Sequence, residues 1–449
     1  MKKFLILFLH ITLFFHCFAS DKNKILSVSQ MREDIDFYFA SLQDIHPNPF
    51  IVLSHKEFKD KIDSLKNSIT HPLSKKEFYL LLSSMNKYTD LHTRITPSEK
   101  MIKQRNSSFP LPSFSDIDNK IFFSHDNSPQ YQLLSVNNIS TQEIKDFFLS
   151  RRNLAEVNNI YNFNDELNYY KNHYFWDDSL VFKFLKDGNK TDSLTLYTSS
   201  VSEKGGKNKP KQKGDRVYHL IYDSTKSIAV FELNTFMPQK IKNILQFEKD
   251  IDGVFDTLKS KNILNLYIDI TCNGGGLIAF EEYLLNYLIT GNKPVTLWHL
   301  TVKQSAQRRK QRYGIPSTQD GDYYVQKQTF TALNKKNKFR GNIFIIQSRA
   351  SFSAASTLSS QLQKFTNATI IGEECQRKAV YTDPILIKLP HSKLRFSCAS
   401  AFIKNVGRDK NSGVIPDIPY SIENIYEPIS INRAESMRLS AKETIISNK

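Results

Sequence analysis

The apolar positions change period several times along the chain, and each change predicts an element. In Met31–Leu42, His55–Ser68 and Lys75–Lys87 they recur three to four apart, with Phe78, Leu81, Leu82 and Met85 on one face of the last. That spacing predicts three amphipathic helices. Between 106 and 203 shorter apolar runs at Lys120–Ser124, Tyr131–Val136 and Leu194–Thr198 predict strands with intervening helix. From 217 to 425 strand-like and helix-like segments alternate, which implies an α/β core. Two strands there lead directly into helical patterns. Leu264–Ile270 passes through Thr271–Gly276 to Leu284, Leu285, Tyr287 and Leu288. Ile343–Ile346 passes through Gln347–Ser351 to Ala354, Ala355, Leu358, Leu362 and Phe365. Short continuous apolar runs of this kind suit parallel strands covered on both faces.

The second of these turns places Ser353 at a helix start, where free N–H groups and the helix dipole favour developing negative charge. A nucleophilic hydroxyl belongs there, but so does a plain N-cap serine at 351 or 353. Taken alone, the segment favours the cap. The turn Gly274-Gly275-Gly276 alters that balance. Three glycines let the backbone adopt φ > 0 and approach a neighbour closely, and such a turn is able to aim N–H groups at an oxyanion. It fits neither a dinucleotide fingerprint nor a P-loop. A third segment, Thr89-Asp90-Leu91-His92-Thr93-Arg94, follows the helical pattern of Lys75–Lys87 and sets a histidine among groups suited to orienting an imidazole. A single histidine is more often structural than a base.

Together the segments resemble one family. Asp90–Thr93, Ile268–Gly276, Ser353–Ala355, Ile371–Glu373 and Gly413–Asp417 follow the motif order of the C-terminal processing (tail-specific) serine peptidases, in the branch of the tricorn core and retinoid-binding-protein-like members. The resemblance runs from about Val28 to Tyr420. It implies a crotonase- and Clp-protease-like spiral of ββα units as the core. It implies Ser353 as nucleophile, His92 as general base, and Ala354 and Gly275 as oxyanion donors. An acid that assists the histidine aligns at Lys410, whose neighbour Asp409 is the candidate. The family's other branch uses a serine–lysine dyad, and Lys378 stands at the matching offset as the alternative base. The chain departs from the pattern at Ser356, where relatives carry an acid, and at Glu374–Lys378, where they carry a glycine-rich turn.

Composition adds compartment and partners. Residues 1–19 have a basic start, an apolar run from Phe4 to Phe15, and Cys17-Phe18-Ala19, as a signal peptide does. That run is too short to span a bilayer, which takes about 20 residues, and His16 makes Cys17 a poor lipid-anchor site. Export to a periplasmic or cell-envelope location is expected. Cys272, Cys375 and Cys398 remain, with a Cys375–Cys398 disulfide or simple buried thiols as alternatives. No spacing suggests a metal, and no cofactor is expected. The net charge of +16 is concentrated at Lys204–Arg216, expected to be a flexible basic linker, and at Gln307–Arg312. Without a nucleic-acid motif, attraction to an envelope surface or acidic polypeptides is the milder reading of that charge.

The expected organisation is a signal peptide at 1–19, a helical region at 20–105 and a small α+β, degenerate PDZ-like module at 106–203. A linker at 204–216, the peptidase core at 217–425 and a C-terminal tail at 426–449 complete it. The expected activity is polypeptide cleavage through an acyl-enzyme. A catalytically silent, peptide-binding relative and a polyanion binder are the alternatives.

Overall fold

The computed structural model describes residues 24–447, apart from 104–110, 113, 125–130, 152–162, 175–178, 187–189, 198–212, 239, 242, 292, 313–318, 376–380, 405–412 and 423. The expected signal peptide, Lys378 and Asp409 lie outside the described residues. Among the described residues no helix is long and apolar enough to cross a membrane.

The core sheet orders Tyr218–Asp223, Ile228–Leu233, Asn265–Asp269, Asn342–Gln347, Thr369–Gly372 and Ile418–Pro419, as the alternating pattern predicts. The first pair is antiparallel and the remaining four pairings are parallel. Its two faces feed two separate apolar clusters. Phe231, Ile268 and Ile345 meet the helices Ile244–Ser260, Ile278–Leu288 and Ala354–Phe365 through Phe255, Leu284 and Leu358. Val230, Tyr267 and Phe344 meet Ala434 and Met437 of the C-terminal helix Ile431–Ser447, which covers the other face. Burying each such leucine or phenylalanine contributes about 1.5–3 kcal/mol.

A second, antiparallel sheet orders Tyr323–Phe330, Val295–Lys303, Arg395–Lys404 and Tyr381–Lys388, with the short strand Arg94–Thr96 added to Arg395–Lys404. The N-terminal helix Val28–Ile45 packs Tyr38 and Leu42 into one cluster with Ile387 and Phe396. Its buried Asp34 accepts the N–H groups of His391 and Ser392, both at 2.8 Å. The helical region at the start of the chain therefore shares a core with strands some 350 residues later. The strands Phe114–Ile117, Lys120–Phe123, Tyr131–Val136, Ser179–Lys186 and Lys190–Tyr197 form a third sheet, which packs helices Thr141–Arg151 and Phe163–Tyr174 around its own cluster of Phe123, Leu133, Leu167 and Phe182.

Three details depart from the sequence pattern, and one alternative it left open is decided. The helix expected over Lys75–Lys87 stops at Leu82 and tightens into a 3₁₀ turn, Ser83–Tyr88. There the Ser83 and Ser84 hydroxyls bond the Leu80 and Leu81 carbonyls at 3.4 and 2.6 Å, side-chain bonds that compete with a helical ladder. Cys375 and Cys398 form no disulfide, and of the two alternatives the buried thiols are the outcome. Cys375 Sγ accepts the Val414 N–H at 3.2 Å, and Cys398 is buried in its strand.

The arginine cluster is not a free basic patch. Arg308 and Arg312 both pair with Asp383, and Arg309 pairs with Asp320. Nor is the end of the basic linker loose. Lys213 is fully buried, with Nζ 2.5 Å from Asp269 Oδ2 and 2.7 Å from Thr271 Oγ1. Lys213→Met strands the Asp269 charge in the interior, an expected loss of about 3–5 kcal/mol in unfolding free energy. Chemical denaturation checks it, and a loss below about 1 kcal/mol would show that the pair does little for the fold.

Candidate active site

The strand Asn342–Gln347 delivers Ser353 through a loop stitched to the end of the neighbouring parallel strand. Ser348 Oγ donates to the Thr271 carbonyl at 2.5 Å and Ser351 Oγ to the Ile270 carbonyl at 2.8 Å. Phe352 N–H donates to the Asn273 carbonyl at 3.1 Å. These bonds hold Ser353 at φ 56° and ψ −123°, a conformation that L residues rarely adopt. Ser353 occupies the N-cap position of Ala354–Phe365 yet makes no capping bond. The plain capping alternative thus fails for Ser353, and Ser351 is spent on Ile270. Ser356, which replaces the expected acid, donates back to the Ser353 carbonyl at 2.8 Å.

The glycine turn lies directly against this elbow. Gly275 has φ +87°, and a Cβ placed there would sit 2.7 Å from Ser353 Cβ and 2.9 Å from Ala354 N. Gly276, at φ +147°, passes the Phe236 carbonyl so closely that no side chain fits. Asn273 organises the turn. Its Oδ1 accepts the Gly275 N–H at 2.9 Å and its Nδ2 donates to the Leu233 carbonyl at 3.0 Å. The Gly275 N–H is thereby engaged within its own loop, whereas the Ala354 N–H belongs to the first helical turn, which has no intrahelical acceptor.

His92 arrives from the 3₁₀ turn and the strand Arg94–Thr96, 261 residues away in sequence, and its Nε2 stands 3.3 Å from Ser353 Oγ. Its ring stacks on Phe352 with centroids 4.7 Å apart, and Ser397 Oγ donates to its carbonyl at 2.7 Å. Asp90 Oδ1 accepts the His92 backbone N–H at 2.8 Å, and Asp90 Oδ2 lies 2.8 Å from His46 Nε2. His46 Nδ1 accepts the Asn48 N–H at 3.0 Å, so its proton is on Nε2 and donates to Asp90. Burial alone would raise the Asp90 carboxyl, but the bonds from His46 and Thr93 hold it below the usual range.

Burial pushes His92 below its ordinary value of 6.5. The negative charges of Asp90 and Asp383 and the polar Tyr381 backbone oppose that shift, and Arg94 adds to it. The net effect lies below the ordinary value and favours the neutral ring, the form that accepts a proton.

The site therefore brings together Ser353, His92, Gly275 and Ala354. Sequence reasoning missed His46, Tyr381 and the bridging role of Asn273. His46 carries no local signal beyond a helix end before Pro47, and Tyr381 none at all. The acids in the remaining motifs serve the backbone. Glu373 pairs with Arg349 at 3.1 Å and accepts the Ile422 N–H, and Asp417 accepts the Ile370 N–H at 2.8 Å. Among the described residues no cluster of three histidine, cysteine or acidic side chains is placed to hold a metal.

Two outcomes test this geometry. The acid limb of kcat/KM reports the free base, so its midpoint is expected below pH 6.5; a midpoint above that value excludes His92 in this environment. Gly275→Ala is expected to lower kcat/KM by roughly 100-fold or more by pushing the turn off Ala354, and activity within about twofold of wild type would show that the close approach is dispensable.

The profile of peptidase family S41 matches residues 227–420, inside the core expected at 217–425. No curated protein sequence matches the chain. Among solved structures, mature CPAF superposes with a TM-score of 0.61 at 13% identity, covering 92% of this chain and 96% of that one. Mature CPAF complexed with lactacystin gives 0.59 at 12% identity, covering 94% and 98%. At such identities the likeness is one of fold, and it spans nearly the whole of both chains.

Proposed function

The chain belongs to peptidase family S41 and is a serine-type peptidase; on that premise we propose that it cleaves polypeptides through an acyl-enzyme on Ser353. The observation that carries this reading is the 3.3 Å approach of His92 Nε2 to a serine held in a strained elbow without a capping bond. Ser353 Oγ attacks the scissile carbonyl carbon while its proton passes to His92 Nε2. The carbonyl oxygen becomes an oxyanion beside the Ala354 N–H, a donor of a kind worth about 3 kcal/mol of barrier. His92 then returns the proton to the leaving amine as the C–N bond breaks. Water, deprotonated by the same imidazole, releases the acyl group and restores Ser353. Gly275 supplies the close approach that shapes this pocket, and sharing its N–H between Asn273 and the oxyanion makes it the second donor.

Export to the cell envelope fits the basic-then-apolar start of the chain, and fusing residues 1–30 to a reporter enzyme active only outside the cytoplasm tests it. For the chemistry, a fluorophosphonate probe is expected to label wild type and not Ser353→Ala. His92→Gln is expected to lower kcat/KM by about 10²–10⁴-fold with the fold intact. Labelling that persists in Ser353→Ala, or near-normal turnover in His92→Gln, sinks the assignment. A wild type that resists the probe and still binds peptides would make the chain a silent relative.

A further inference from the structure

A side chain that transfers protons works only where the backbone beneath it is fixed. Both backbone polar groups of His92 are taken. Ser397 Oγ donates to its carbonyl at 2.7 Å, and its N–H donates to Asp90 Oδ1 at 2.8 Å. The second bond is only as steady as the carboxylate that receives it. Asp90 is buried, and its other oxygen, Oδ2, lies 2.8 Å from His46 Nε2. His46 is also buried, and it takes no part in the proton transfers described above.

The segment that carries His46 is tied down residue by residue. His46 closes the helix Val28–Ile45, and its N–H donates to the Leu42 carbonyl at 3.0 Å. Lys303 Nζ donates to the Gln43 carbonyl at 2.6 Å and to the His46 carbonyl at 3.4 Å. The Tyr323 hydroxyl donates to the Pro47 carbonyl at 2.7 Å. On the imidazole itself, Nδ1 accepts the Asn48 N–H at 3.0 Å and the Tyr381 ring packs at a centroid distance of 4.8 Å. Asn48 Nδ2 donates to the Tyr381 hydroxyl at 3.3 Å, which joins these two contacts. A neutral imidazole has one donor and one acceptor. With Nδ1 accepting, the donor is Nε2, and Asp90 receives it.

We propose that His46 is a positioning residue for His92: it holds the Asp90 carboxylate, which fixes the backbone N–H of the base and so the direction from which the imidazole reaches Ser353. The proposal rests on the assignment of Ser353 and His92 above. Each link is a contact of defined length: 2.8 Å from His46 to Asp90, 2.8 Å from Asp90 to the His92 N–H, and 3.3 Å from His92 Nε2 to Ser353 Oγ. A buried carboxylate that loses a donor gets no replacement from water. It turns toward another donor or takes up a proton, and either change loosens its hold on the His92 N–H.

The test uses the full chain with a fluorogenic peptide and two amides that each copy one ring nitrogen. His46→Asn keeps an acceptor near the place of Nδ1 for the Asn48 N–H, but it is too short to reach Asp90. It is expected to lower kcat about tenfold or more, with KM within about twofold. His46→Gln reaches as far as Nε2 and donates to Asp90, so its kcat is expected within about threefold of wild type. A merely structural role would not separate the two, because both replace a buried ring by a smaller polar group.

A double variant checks the route. If His46 acts through Asp90, adding His46→Asn to Asp90→Ala is expected to change kcat by no more than about twofold, the non-additivity of residues that act as a unit. Losses that multiply in the double variant overturn the proposal. So does wild-type kcat in folded His46→Asn, or a kcat for His46→Gln no higher than for His46→Asn. Should His46→Asn fail to fold, His46→Leu, equally without a donor for Asp90, takes its place in both comparisons. Full turnover in Ser353→Ala would instead show that the site assignment is wrong, and the role of His46 falls with it.

Discussion

The serine elbow is the constraint on which the other parts depend. A non-glycine residue at φ 56° costs about 1–3 kcal/mol and persists only where its surroundings over-determine it. Here they do. The loop before the elbow is tied to Ile270, Thr271 and Asn273, and the helix after it begins with Thr357 N–H on the Ser353 carbonyl. Both anchors are backbone-directed, so they fix the Cα–Cβ direction and with it where Oγ points. Gly275 completes the arrangement by having no Cβ at a place where one would strike Ser353.

The base comes from outside this core and needs its own support. The strand Arg94–Thr96 is short, and it is held by pairing with Arg395–Lys404, by Asn86 bonded to both backbone groups of Ile95, and by burial of Ile95. Asp90 caps the turn before it, and that buried carboxylate is tolerable because His46, Thr93 and the His92 N–H all donate to it. Asp90 therefore braces the backbone of the base rather than its ring. Its charge also limits how far burial depresses the imidazole, which leaves His92 basic enough to accept a proton and neutral enough to be available.

How much was legible in the sequence follows from the range of each interaction. The strand–turn–helix units around Gly275 and Ser353 are local, so periodicity exposed them and placed both within a residue or two of where they stand. The Asp90–Thr93 segment was visible as chemistry but not as geometry, because only pairing with a strand some 300 residues later sets its distance to Ser353. Charge misled wherever its partner was remote in sequence. Arg308 and Arg312 looked like a free patch because Asp383 is more than 70 residues away, and Lys213 looked like linker because Asp269 is 56 away. Cys375 and Cys398 offered a pairing only because spacing says nothing of which element each thiol enters.

Stability alone is a poor reason for those remote ion pairs. Burying charge costs several kcal/mol per ion before any attraction is counted, and apolar replacements of similar volume are often as stable or more so. What an apolar contact lacks is direction. Lys213 sits under the start of the turn that carries Asn273 and Gly275, binding Asp269 and Thr271 at once. Arg308 and Arg312 sit behind the strand that carries Tyr381. Lys213 thereby ties down the entry to the turn beside the nucleophile, and the arginines tie down the strand whose Tyr381 packs on His46. A hydroxyl and an imidazole 3.3 Å apart lose reactivity with small misalignments. Directional contacts around it are what such a site requires, even where a greasier interior would be the more stable one.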